Sequence, residues 1–208
     1  MAHGYTSNRF VSKTNRILAG ACAFLIIALS IAIATFARDW TGIAIATLGC
    51  IWLLFVVYAG LWRPRIDIDE HSVTIVNPLR TVGIPLSSLI HVDTKFSLTL
   101  ITEFGRFPVA CAPQPGAFAA RKAAKRSTEE ASSRAALDSG RRVGDIPGTE
   151  SGDAAALVRD RWERYRDTHG DSAPDTDAFP PSRQRHVGTL VVMGVLPAII
   201  VALSLIPG

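Results

Sequence analysis

Cysteine is scarce in this chain, and the few it has do not pair. Cys22, Cys50 and Cys111 lie far apart along 208 residues. Such spacing gives neither a disulfide framework nor a zinc site, and the thiols read as small reduced hydrophobes. The histidines, at positions 3, 71, 91, 169 and 186, never fall at metal-ligand spacing. Glycine-rich phosphate loops are missing, and no serine sits in a nucleophile elbow. The long apolar runs hold no Asp, Glu, Lys, Arg or His, which argues against an ion or proton pathway. The densest basic stretch has no interleaved aromatics, so nucleic acid is not an expected partner. Together these absences leave no expected catalytic residue, cofactor or metal, and point away from an enzyme.

What the chain does have is unevenly spread. It is 48% hydrophobic with a net charge of +4, values that alone fit an ordinary slightly basic domain. The apolar residues, however, gather in three blocks, at 17–37, 40–62 and 187–206. At about 1.5 Å per residue each block spans roughly 30 Å, the thickness of a bilayer's hydrocarbon core. Trp40 and Trp62 bracket the second block as interfacial aromatics do, and Pro197 inside the third makes a kink plausible. Only Arg38 and Asp39 separate the first two, which forces an antiparallel hairpin over 17–62. Seven basic residues flank one side of this arrangement: Arg9, Lys13 and Arg16, Arg63 and Arg65, Arg183 and Arg185. Arg38 alone flanks the other. The positive-inside rule then predicts a multi-pass plasma-membrane protein. The N-terminal segment 1–16 and the middle of the chain are expected in the cytoplasm, with the C-terminus outside.

Between the second and third blocks the periodicity changes. Ile66 and Ile68 alternate with Arg65, Asp67 and Asp69. Val73 and Ile75, Val82 and Ile84, Ile90 and Val92, Phe96, Leu98 and Leu100, and Phe107 and Val109 continue the pattern. Turn residues at Glu70-His71, Asn77-Pro78 and Glu103 to Gly105 separate them. Period-two alternation with such turns predicts about six short antiparallel strands over 63–112, forming a curved sheet or small barrel. Asp67 with Asp69, and His91 with Asp93, sit two apart on a strand face, and solvation accounts for both pairs better than catalysis.

Residues 113–152 form a polar Ala- and Arg-rich insert. Its cluster Arg121, Lys122, Lys125 and Arg126 supplies candidate contacts to anionic lipid, although Glu129, Glu130 and Asp138 nearby favour a solvated helix face. An amphipathic helix is expected over 153–169, capped by Asp153, with Ala155, Val158, Trp162 and Tyr165 on one packing stripe. The proline-containing stretch 170–186 reads as a flexible tether.

The segment Trp62 to Val109 carries a Trp-Arg-Pro exit from the hairpin and the turn Asn77-Pro78-Leu79-Arg80-Thr81. Ile84-Pro85 precedes a bend, and Gly105-Arg106 precedes a last strand. In these features it resembles the small pleckstrin-homology-like (PH-like) domain of actinobacterial membrane proteins, the low molecular weight protein antigen 6 PH domain family. The resemblance implies an α+β membrane protein. Its PH-like part would be a small antiparallel curved sheet after the two-helix transmembrane hairpin, closed by a helix bearing Trp162. The third, C-terminal transmembrane helix is expected from its apolar run alone and, like the insert, is not part of the family's pattern. PH domains that bind phosphoinositides use a basic first hairpin turn, whereas Asp69-Glu70-His71 here is acidic. The expected function is therefore non-catalytic docking of a protein partner, as yet unknown, at the inner membrane face. Two alternatives are a sensor of anionic lipid surfaces working through the insert, and an accessory subunit packing through Gly42, Gly49 and Gly60.

Overall fold

Strands with one apolar face and helices apolar all round cannot share a core, and the chain sorts them into separate units. A computed structural model describes residues 8–37, 39–94, 97–113, 149–169 and 180–205. One unit is helical, comprising Lys13–Pro64, Asn77–Arg80 and the chain from Arg185; the other holds the remaining described residues.

In the helical unit, α1 runs Lys13–Phe36, α2 Trp40–Val57 and α4 Val187–Ser204. The three are long and apolar enough to cross a membrane, α2 together with a π-helical turn over Tyr58–Trp62. Helix α1 begins one turn before the apolar block at Ile17, because Lys13 to Arg16 close helical hydrogen bonds as well as apolar residues do. Asp39 caps α2, its carboxylate oxygens accepting from the amides of Thr41 at 3.2 Å and Gly42 at 2.7 Å. Hydroxyls inside the apolar runs bond back to their own helix. Ser30 reaches the Ile26 carbonyl at 3.0 Å and Thr47 that of Ile43 at 2.7 Å, so neither is left unpaired among apolar groups. Helix α4 continues through Pro197. Helix α1 packs on α2, and α2 on α4.

The other unit is built on two antiparallel sheets. Strands β2 (Arg65–Ile68), β3 (Ser72–Val76), β4 (Arg80–Pro85), β5 (Leu89–Asp93), β6 (Ser97–Thr102) and β7 (Gly105–Pro113) occupy the alternating stretch. Two further strands join them: β1 (Asn8–Phe10), before the hairpin, and β8 (Ser182–Arg185), before α4. The large sheet has the order β1-β2-β3-β4-β8 and the small one β5-β6-β7. Ile66, Ile68, Val73, Ile75, Val82, Ile84, Leu98, Leu100, Phe107 and Val109 are all buried in one core. Helix α3 (Glu150–His169) supplies Ala154, Ala155 and Val158 to the same core, with Trp162 and Tyr165 packed at its margin.

Four expectations are corrected. The stretch 170–186 is not a tether throughout, since Ser182–Arg185 is a strand of the large sheet. Its four exposed residues give no alternation to read. Segment 1–16 likewise contains a strand, β1, whose Phe10 lies opposite Ile66 and packs on the core. The cap of α3 is Thr149 rather than Asp153: the Gly152 amide donates to the Thr149 hydroxyl at 3.0 Å, and the Asp153 amide to its carbonyl at 2.8 Å. Finally, Ile90 faces outward. An irregularity between Leu89 and His91 shifts the register, so Leu89 and Val92 take the buried positions. Phe96, Lys95 and most of the insert lie outside the described residues.

The fit of β8 gives a first expected result. A Cβ added at Gly83 in β4 would stand 2.8 Å from the Ser182 hydroxyl oxygen, closer than atoms of this kind pack. Ser182 is exposed and its hydroxyl can turn away, so Gly83→Ala should shift the melting temperature of the module only slightly, and Ser182→Gly should remove what remains of the clash. A thermal-melt double-mutant cycle should give a coupling of about 0.5 kcal/mol or less.

Candidate functional site

The four candidate lipid contacts, Arg121, Lys122, Lys125 and Arg126, lie outside the described residues, as do Arg141 and Arg142. The chemistry that can be placed is elsewhere, beginning with the strand pair β1-β2. Arg9 and Asp67 are register partners, and the Arg9 Nε donates to Asp67 at 2.7 Å. Arg65 Nε donates to the other carboxylate oxygen at 2.9 Å. With 20% of its side chain exposed, Asp67 is pushed upward by partial burial. The hydrogen bonds and charges of Arg9 and Arg65 outweigh that and hold it below its ordinary 3.8. Asp67 is thus a structural pin, neither a paired carboxylate with Asp69 nor a purely solvated one. Sequence reasoning missed its partner Arg9, because the whole hairpin separates the two.

This pin has a pH signature. A carboxyl whose folded pKa is depressed contributes fully above the unfolded value and loses its contribution as pH falls through the lower folded one. Asp67→Asn should therefore cost about 1 kcal/mol at neutral pH, Arg9 being largely exposed to water. It should cost almost nothing in strong acid. Melting curves of both proteins across pH 2 to pH 7, where the lower bound is about two units under the ordinary carboxyl, measure the difference.

Elsewhere the unit offers little reactive chemistry. Cys111 is buried in the core, and burial pushes its thiol up to about 12, so it stays protonated and inert. Glu150 accepts from the buried Ser12 hydroxyl at 2.6 Å, which ties the end of the N-terminal segment to the first turn of α3. His71 stands edge-on to Tyr165 with ring centres 6.2 Å apart. Among the described residues no three His, Cys, Asp or Glu side chains gather as a metal site.

One end of the small sheet differs from the rest. Leu89 lies opposite Thr102, and Thr102 opposite Gly105, which brings the bulged Ile90 and the turn residue Phe104 to the same end. Both are exposed, at 49% and 41%. The turn is fixed by Gly105, whose φ of +130° suits only glycine. The Phe104 amide also donates to the Thr102 hydroxyl, at 3.1 Å.

In the helical unit, polar contacts gather at one end. The Arg16 guanidinium lies 5.2 Å from the centre of the Trp62 ring, and Arg63 Nη1 donates to the Thr189 hydroxyl at 3.2 Å. The His186 amide donates to the Leu79 carbonyl at 3.0 Å. The Asn77-to-Arg80 turn, noted in the sequence as a family-like pattern, thus holds the chain where it enters α4. Of the glycines proposed for helix packing, Gly42 sits against the capping Asp39 carboxylate, while a side chain at Gly49 or Gly60 would meet nothing.

Comparison with models of known families, with curated proteins and with solved structures gives no match for this chain.

Proposed function

We propose that the chain is a membrane-anchored, PH-like binding module without catalytic activity, which docks a protein partner at the cytoplasmic face of the membrane. The observation that carries this reading is connectivity. The chain passes from β1 into α1, from α2 into β2 and from β8 into α4. Each passage runs between a strand of the large sheet and a helix long enough to span. Ser12, Arg65 and Gln184 belong to the same folded unit, and a folded sheet does not thread a bilayer, which supports a topology with all three on one side. The basic flanks support the cytoplasm as that side. The PH-like reading is supported by four strands in chain order, then three, then a helix that packs its apolar stripe on the shared core. Docking is supported by Ile90 and Phe104, two large apolar side chains exposed at the same end of the small sheet.

Photo-crosslinking amino acids placed at Ile90 and at Phe104 in the full chain, in living cells, test the docking surface. A discrete adduct from these positions, lost on replacing the other residue by Asp and absent from the β2-β3 turn at Glu70, supports it. Diffuse or equal crosslinking at all three positions contradicts it.

A further inference from the structure

The helical unit is electrically lopsided. Its single carboxylate is Asp39, and that group is committed to capping α2. Trp62 lies 23 residues along the same helical run, about 34 Å away at 1.5 Å per residue. The unit's described cations include Lys13, Arg16, Arg63, Arg80 and Arg185, with Arg16 and Arg63 at the Trp62 end. None of these five makes an ion pair with a carboxylate among the described residues. Two of them are nonetheless positioned, Arg16 by the Trp62 ring and Arg63 by Thr189. These contacts tie α1 to the end of α2 at Arg16, and that end of α2 to α4 at Arg63.

We infer that Arg16, steered by Trp62, and Arg63, steered by Thr189, each bind the phosphodiester of an anionic phospholipid in the leaflet on the module's side. The inference rests on the spanning reading of the three helices, and concerns residues distinct from the basic insert. Arg63 uses one of its five N–H donors on a neutral hydroxyl, which leaves the guanidinium fork open to a phosphate. Arg16, lying over an aromatic ring, keeps its charge and its in-plane donors. A lipid rather than a free phosphate is the fitting occupant because the faces just beyond the cations are apolar and uncovered. Ile17 and Leu18 on α1, and Val187 and Leu190 on α4, are all exposed, which suits acyl chains running from a bound headgroup.

The test is native mass spectrometry of the full chain, released from nanodiscs containing equal phosphatidylglycerol and phosphatidylcholine. The wild type should retain phosphatidylglycerol preferentially. The double variant R16Q/R63Q should lose that preference by about thirtyfold, about fivefold per cation removed. R106Q, an exposed arginine of β7, should leave it unchanged. Equal preference in the double variant overturns the site, and so does displacement of the lipid by equimolar inorganic phosphate, which makes the occupant a free anion. Alkaline carbonate extraction of the same membranes separates the two levels of failure. Wild type and variant should both stay in the pellet. Release of the wild type overturns the spanning reading, and the headgroup site with it.

Discussion

Cutting out the hairpin should leave the module standing. A chain in which Lys13 to Arg63 is replaced by Asn-Gly, and which ends at Arg185, is expected to be soluble and to melt cooperatively. The reason lies in the register of the first strand pair: Phe10 faces Ile66 and Asn8 faces Ile68, so the chain leaves β1 and enters β2 at adjacent positions. A short turn can bridge them as in any β-hairpin, and the two apolar helices are an insertion into that turn. The same protein beginning at Pro64, without β1, should be less stable by about 3 kcal/mol. Lost with β1 are the half-buried Phe10, an edge of ladder hydrogen bonds, the Arg9–Asp67 pair and the Ser12–Glu150 bond. Chemical denaturation of the two proteins measures the gap. Equal stability would mean that β1 is dispensable and that the hairpin simply precedes the module.

Replacing Val158 by Asp should abolish folding of the module. Val158 is wholly inaccessible to solvent and packs in the core shared by both sheets. An unpaired carboxylate there must be protonated or break the packing, at a cost of about 4 kcal/mol or more. Asp160→Ala, two residues along the same helix, removes only an exposed pair with Arg164 and should shift stability by about 0.5 kcal/mol at most. Limited proteolysis in membranes reads the outcome: rapid cleavage between residues 65 and 169 in V158D, resistance in D160A, and intact spans in both. A folded V158D would mean that the α3 stripe is a binding surface rather than a packing face.

The parts of this fold that were legible in the sequence are those with strong periodicity. Uninterrupted apolar runs mark α1, α2 and α4 through composition alone. Six strands showed themselves because Ile66, Ile68, Val73, Ile75 and their successors each bury one face against polar neighbours. The elements that escaped lack such a signal. Strand β1 is three residues long, and its pairing partner lies beyond the hairpin. Strand β8 is Ser-Arg-Gln-Arg with every residue exposed, so only its hydrogen-bonding to β4 defines it. Ile90 misled because alternation assumes a regular ladder, and a one-residue irregularity reverses the faces. For the sites, charge was legible and geometry was not. Arg16, Arg63 and Arg9 were legible as topological flanks, but their partners Trp62, Thr189 and Asp67 depend on tertiary contact. The insert cluster at Arg121 to Arg126 remains a matter of composition.

The measurement that tests the central claim most directly is thiol accessibility in intact cells. With Cys22, Cys50 and Cys111 replaced, a single cysteine is placed either at Glu103, in the exposed β6-β7 turn, or at Leu205, just past α4. A membrane-impermeant maleimide should label Leu205→Cys in intact cells, and Glu103→Cys only after permeabilisation. Labelling of Glu103→Cys in intact cells would contradict the account, placing the module, its exposed Ile90 and Phe104 and its basic junction on the outer face.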